Sequence, residues 1–238
     1  MYHWRRRAGA LVAAATVLLG ACIPYSVGST AEPVAPGQVV SSGSLYFVPA
    51  AVELRVDSTR RSTSYMAADA EVRYGLDDRS DIGLRVPGTS GLVGTYQRRL
   101  SGSARTRAVT AVRVGAGLVN LGNHALVEAT FLASGRERAA VTPYGGVRAM
   151  HVLPLNSLAV SDEPTIGLFA GARIGTRERG FSPEIGVFHD PPALGLRSSR
   201  LIVVPSITVH GSDLLRGLRG PRGLARWRWR GTDFGVSR

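Results

Sequence analysis

Acid–base or nucleophilic chemistry in this chain would have to draw on five histidines, His3, His124, His151, His189 and His210, and on a single cysteine, Cys22. His189 is followed by Asp190 and preceded by Glu184. A carboxylate beside an imidazole makes a general base, which would suit hydrolysis of a lipid ester. No recognisable serine motif accompanies the group, and His189 reads first as a strand-end residue. His151 and His210 also close strand-like blocks. Metal binding there would need further ligands at matching positions, so no metal, cofactor or catalytic residue is expected. One cysteine excludes an intramolecular disulfide and a multi-cysteine zinc site.

The elements that must position these groups are read from composition and pattern. The chain has 238 residues, 44% hydrophobic and 7% aromatic, with 29 basic residues against 17 acidic ones. Every basic residue is arginine. The formal +12 would normally point to nucleic acid or an anionic membrane. Its distribution argues otherwise. Arg5, Arg6 and Arg7 sit at the extreme N-terminus, and seven arginines with two aspartates fall within residues 213–238. Residues 22–212 keep nineteen arginines and fifteen acids, too even a balance for a nucleic-acid footprint.

The arginine head leads into an uncharged run from Ala8 to Leu19. A helix of that length rises about 18 Å, short of the roughly 30 Å hydrocarbon core. A cleaved export signal is the reading that fits. Leu19-Gly20-Ala21-Cys22 resembles the lipobox of bacterial lipoproteins. The resemblance implies cleavage after residue 21, diacylglycerol on the Cys22 thiol and acylation of the new amino group. Two or three acyl chains anchor stably, each buried CH₂ contributing about 0.8 kcal/mol. Ile23 follows the cysteine, which by similarity to enteric lipoproteins permits outer-membrane sorting. Residues 22–43, rich in Pro, Gly and Ser, read as a flexible tether.

From Leu45 onward a helical period never persists. Apolar and polar residues alternate in short blocks separated by Gly, Asp, Pro and Arg. In Met66–Gly75, Met66, Ala68, Ala70, Val72 and Tyr74 share one face and Asp69, Glu71 and Arg73 the other. After LDDRS, Ile82, Leu84 and Val86 alternate with Asp81, Gly83 and Arg85. Further strands are expected at 92–99, 107–118, 125–133, 140–151, 165–176, 181–189 and 200–210, with a less distinct one near 51–56. Short joints favour an antiparallel meander and exclude parallel crossovers. The fold expected is all-β: an antiparallel meander barrel of about eight to ten strands over residues 44–211.

The stretch VRYGLDDRSDIGLRVPGTSGLVGTYQRRL, residues 72–100, resembles a hairpin of small bacterial outer-membrane β-barrel proteins, and SPEIGVFHD with LIVVPSITVH resembles their last hairpins. The resemblance implies apolar side chains toward lipid and a polar, salt-bridged lumen. The chain departs from that pattern in ending its last strand at His210 rather than on an aromatic residue. Its tryptophans, Trp4, Trp227 and Trp229, also lie outside the strands.

On this reading Glu71, Arg73, Arg85, Arg113, Glu128, Arg148, Arg173 and Glu184 form an inner-face charge network. Buried charges must pair, and the planar arginine fork suits carboxylates. A plugged, structural lumen is favoured. A narrow pore biased toward anions is the sharper alternative, because arginine outnumbers acid by five to three in this set. The tail, 212–238, interleaves Arg226, Trp227, Arg228, Trp229 and Arg230, a mixture that binds anionic lipid head groups, or it stays a solvated, disordered segment. The expected role is structural or interactive at the outer membrane and non-catalytic, with membrane lipid as partner through acylated Cys22. A soluble, periplasm-facing β-domain on a lipid anchor, binding a small ligand or a protein, is the alternative.

Overall fold

The computed structural model describes residues 23–56, 59–88, 90–102, 108–137, 140–155, 164–176, 179–189 and 201–211. Within them the chain forms ten strands: β1 (Val39–Val56), β2 (Thr59–Asp77), β3 (Ser80–Pro87), β4 (Leu92–Ser101), β5 (Ala108–Val119), β6 (His124–Gly135), β7 (Val141–Pro154), β8 (Thr165–Gly175), β9 (Arg179–His189) and β10 (Leu201–Gly211). Each pairs antiparallel with its sequence neighbours. β1 pairs with β10 as well, through Ser42↔His210 to Tyr46↔Ser206, and closes the barrel. Closure removes the unpaired edges that an open sheet of ten strands would present.

The meander gives the barrel two mouths. The β2–β3, β4–β5, β6–β7 and β8–β9 connections form one, where the chain also enters β1 and leaves β10. The other carries the β1–β2, β3–β4, β5–β6, β7–β8 and β9–β10 connections, including the long stretches 155–164 and 190–200. These are called here the short-turn mouth and the long-loop mouth. LDDRS makes the tightest joint at the former. There the Arg79 N–H donates to the Asp77 carboxylate at 2.7 Å and holds its carboxyl below the ordinary aspartate range.

Alternation sets which way each residue points. In β2, Met66 and Tyr74 are exposed while Asp69, Glu71 and Arg73 are buried, and β6 and β9 repeat the pattern along their lengths. The apolar face is therefore the outer one. Glycines on the inner face make room for large neighbours. A Cβ on Gly167 would lie 2.2 Å from the Phe188 ring, and one on Gly115 2.8 Å from Glu128.

One expectation needs correction. Residues 22–43 were to be a free tether, yet residues 23–34 run inside the barrel and β1 begins at Val39. Tyr25, Ser26, Val27, Thr30 and Ala31 are each at most 3% exposed. The physical reason is that small residues, which cannot build a core of their own, fit a narrow lumen already lined with donors and acceptors. The Pro/Gly/Ser composition describes such a strap as well as it describes a tether.

Candidate functional site

The strap and the inner wall make one polar assembly, built from the backbone outward. Glu184 on β9 accepts the N–H groups of Val27 and Gly28 at 2.9 and 2.8 Å, one on each carboxylate oxygen. Arg148 on β7 donates to the Ser26 carbonyl at 2.9 Å, and Gln97 on β4 to the Thr30 carbonyl at 3.3 Å. Ser134 on β6 accepts from the Ala31 N–H at 3.2 Å, and Asp81 on β3 from the Val34 N–H at 2.7 Å. Wall side chains thus meet backbone groups that an extended strap has no strand partner to satisfy, the pairing a buried backbone requires.

Across this strap runs a chain of alternating charge. Arg148 pairs with Glu128 on β6, whose other oxygen lies 3.6 Å from Arg85 on β3. Arg85 donates to Glu71 on β2 at 3.3 Å, and Glu71 lies 3.8 Å from Arg113 on β5. Arg113 in turn donates to Gln97 at 3.1 and 2.9 Å and to Ser29 of the strap. Since β6 and β3 are separated by two strands, the Glu128–Arg85 pair ties non-adjacent strands of the wall together across the lumen. Beside it, Arg73 pairs with Asp81, and Arg173 with Glu137 in the β6–β7 turn.

All eight inner-face residues expected from the sequence are buried; Arg148, Glu128, Arg85, Glu71 and Arg113 contact one another in series, whereas Arg73 pairs with Asp81, Arg173 with Glu137 and Glu184 with the strap backbone. Asp69 and Asp81, placed on the charged face but left out of the expected network, join them, as do Gln97 and Glu137, which were not singled out. Parity was the available signal for two of these, since Asp69 precedes Glu71 by two residues and Asp81 shares the Arg85 face. Counting them changes the charge balance. Among the described residues the buried charged side chains are five arginines and five carboxylates. Among the described residues, therefore, the buried charges show no excess of arginine over acid of the kind from which the anion bias was inferred.

At the long-loop mouth the lumen turns apolar. Tyr25 of the strap packs edge-on against Tyr46 and Phe188, with ring centroids 6.2 and 5.2 Å apart. Val93, Val119, Leu126 and Met150 belong to the same cluster. Between strap and wall nearer the short-turn mouth lies a cavity of about 20 Å³ lined by Ser29, Glu71, Arg73, Arg173 and His210, room for about one water.

The histidine grouping does not assemble. His189 and Glu184 lie five residues apart on one strand, so His189 points outward and is exposed while Glu184 points into the lumen. His124 is bound to Asn120 at 3.1 Å. A contact that sequence reasoning missed is Ser182 with His210, 2.8 Å between Oγ and Nε2. The residues are 0% and 5% exposed, which leaves no approach for a substrate. Among the described residues no group of His, Cys, Asp and Glu could hold a metal ion. Cys22, Asp190 and the Arg226–Arg230 segment lie outside the described residues.

No protein-family model matches the chain, and no curated protein sequence does either. Solved structures with a related fold include an outer-membrane channel from Pseudomonas putida F1, 9% identical, covering 75% of this chain and 97% of the other with a TM-score of 0.44. The outer membrane protein OprG from Pseudomonas aeruginosa is 13% identical over 77% and 97%, with a TM-score of 0.33. Neisserial surface protein A is 9% identical over 73% and 95%, with a TM-score of 0.37. The description of this chain as a closed ten-stranded barrel rests on its own strand pairing.

Proposed function

We propose that the protein is a barrel spanning the bacterial outer membrane, closed by its own N-terminal strap and anchored through acylated Cys22, with a structural or interaction role and no catalysis. The observation that carries this reading is the outer surface. Every strand presents large exposed apolar side chains outward, from Phe47 on β1 through Leu84, Val114, Leu168 and Ile185 to Ile207 on β10. Among the residues whose side chains are described, the exposed charged ones are Asp77, Asp78, Arg79, Arg98 and Arg179, all at the short-turn mouth. A water-soluble barrel reverses this arrangement; a transmembrane one needs an uncharged apolar band about 25 Å tall.

Lipid anchoring is supported by the lipobox-like tetrapeptide and by the sole cysteine falling at its last position. The absence of catalysis is supported by the disposition of His189 and by the burial of Ser182 and His210. The basic, tryptophan-containing tail is assigned to anionic lipid head groups.

Purification of the full chain tests the reading. It is expected to stay monodisperse only in detergent, and to incorporate an alkyne-tagged palmitate that Cys22→Ser abolishes. A chain that is monodisperse without detergent would support the soluble alternative instead.

A further inference from the structure

The strap has a direction, and the direction has a consequence. Ile23 lies at the long-loop mouth. Its carbonyl accepts the Tyr46 hydroxyl at 3.2 Å, and its side chain packs on the cluster that holds Val93, Val119 and Phe188. Val93 follows the β3–β4 connection, Val119 precedes β5–β6, and Phe188 is the penultimate residue of β9. Val34 has reached Asp81, and Pro36 bridges to Gly75 beside the β2–β3 turn. The chain therefore enters at one mouth and leaves at the other before it turns into β1. The lengths agree: an extended strap of this size reaches about 40 Å at roughly 3.3 Å per residue, against a tilted wall roughly 25–30 Å tall.

We infer that the N-terminal side of the mature chain is carried through the barrel's own lumen, so that the groups joined to Ile23 emerge at the mouth opposite the one from which residues 212–238 depart. Cys22 is one peptide bond, 3.8 Å, from Ile23. Resting on the lipoprotein reading proposed above, this puts the acyl chains of Cys22 and the Arg/Trp tail in opposite leaflets. Outer-membrane barrels keep short turns on the periplasmic side and longer loops outside. The mouth that holds Ile23 then faces outward, the acyl chains insert in the outer leaflet, and the Gly211 end of β10 lies toward the periplasmic leaflet.

Two features of the strap support a built passage rather than a chance fit. Gly28 has a φ of +58° and lies against Thr208, where a Cβ would fall 2.1 Å from the hydroxyl oxygen. Gly75 lets the strap leave the lumen, since a Cβ there would lie 2.1 Å from the Ala35 carbonyl oxygen. At Gly28 a Cβ would run into the Thr208 side chain from a left-handed backbone position, and at Gly75 it would run into the strap's own backbone, so glycine fits at both.

The test uses the full-length chain with one epitope after Cys22 and another after Arg238, each probed by antibody in intact cells and after outer-membrane permeabilisation. Opposite accessibility is expected, with the N-terminal epitope stained in intact cells and the C-terminal one only after permeabilisation. Exposure of both epitopes on the same side would overturn the inference. Because an inserted epitope can disturb folding, a second variant reads the strap directly. Ser26 Oγ and Thr208 Oγ1 lie 3.3 Å apart, so Ser26→Cys with Thr208→Cys, in a Cys22→Ser background, should close a disulfide that shifts the band on a non-reducing gel. Failure of that cross-link in the folded barrel would also overturn threading. Loss of palmitate labelling with opposite accessibility retained would instead reject the lipid anchor and leave the threaded strap standing.

Discussion

Glu184 and Arg148 show how much of the lumen depends on single residues. Glu184 holds two consecutive strap N–H groups, and hydrogen bonds to a charged acceptor contribute about 1.5–3 kcal/mol each. Glu184→Ala is therefore expected to lower stability by about 3 kcal/mol and to open the strap to protease, whereas the outward His189→Ala should change unfolding by less than about 0.5 kcal/mol; heat or denaturant unfolding in detergent reads both. Arg148 neutralises Glu128 and caps the Ser26 carbonyl. Arg148→Met leaves a buried carboxylate short of its closest partner and is expected to cost about 3–5 kcal/mol. Adding Glu128→Gln should recover part of that loss, and equal unfolding of the single and double variants would contradict the pairing. These residues were legible in the sequence because a two-residue period places charges opposite an apolar face whichever side is the inside. Glu137 was not, because it sits in a turn, where parity gives no direction.

At the scale of elements, the strands from β3 to β10 fall close to where alternation put them, since each buries one face against the lumen and leaves the other outside. β2 begins at Thr59, seven residues before the expected Met66, and β1 departs further. Its first five residues, Val39–Gly43, lie in a stretch whose Pro and Ser content resembles a linker, and its pairing to β10 depends on barrel closure, a contact with residues as far away as His210. The strap was illegible for the same reason: its partners are side chains from nine different strands, and no local signal announces them. Because the strap and the paired charges fill the lumen, the intact chain is expected to form no channels in planar bilayers. Gly28→Val combines a left-handed backbone position with a clash on Thr208, so it should displace the strap and produce conductance. A silent Gly28→Val variant that is folded would show that the wall charges alone close the barrel.

For the whole molecule, eight of the twelve excess positive charges lie in the N-terminal head and the C-terminal tail, the other four are spread over residues 22–212, and the buried charged side chains described balance at five arginines and five carboxylates. Which face of the strands is inner could not be read from their pattern, because a sandwich and a membrane barrel share the same alternation. Closure of ten strands decides it, since the charged side chains then line the interior and the apolar ones the perimeter. Ile185 lies at the middle of β9 and points outward. Ile185→Arg should cost about 2–4 kcal/mol if that perimeter faces lipid, and little if it faces water. The most direct measurement removes the proposed anchor and asks whether the barrel alone holds the membrane. Membranes carrying the Cys22→Ser chain are washed with alkaline carbonate and sedimented. The chain should remain in the pellet as an integral protein, and its release into the supernatant would contradict a spanning barrel.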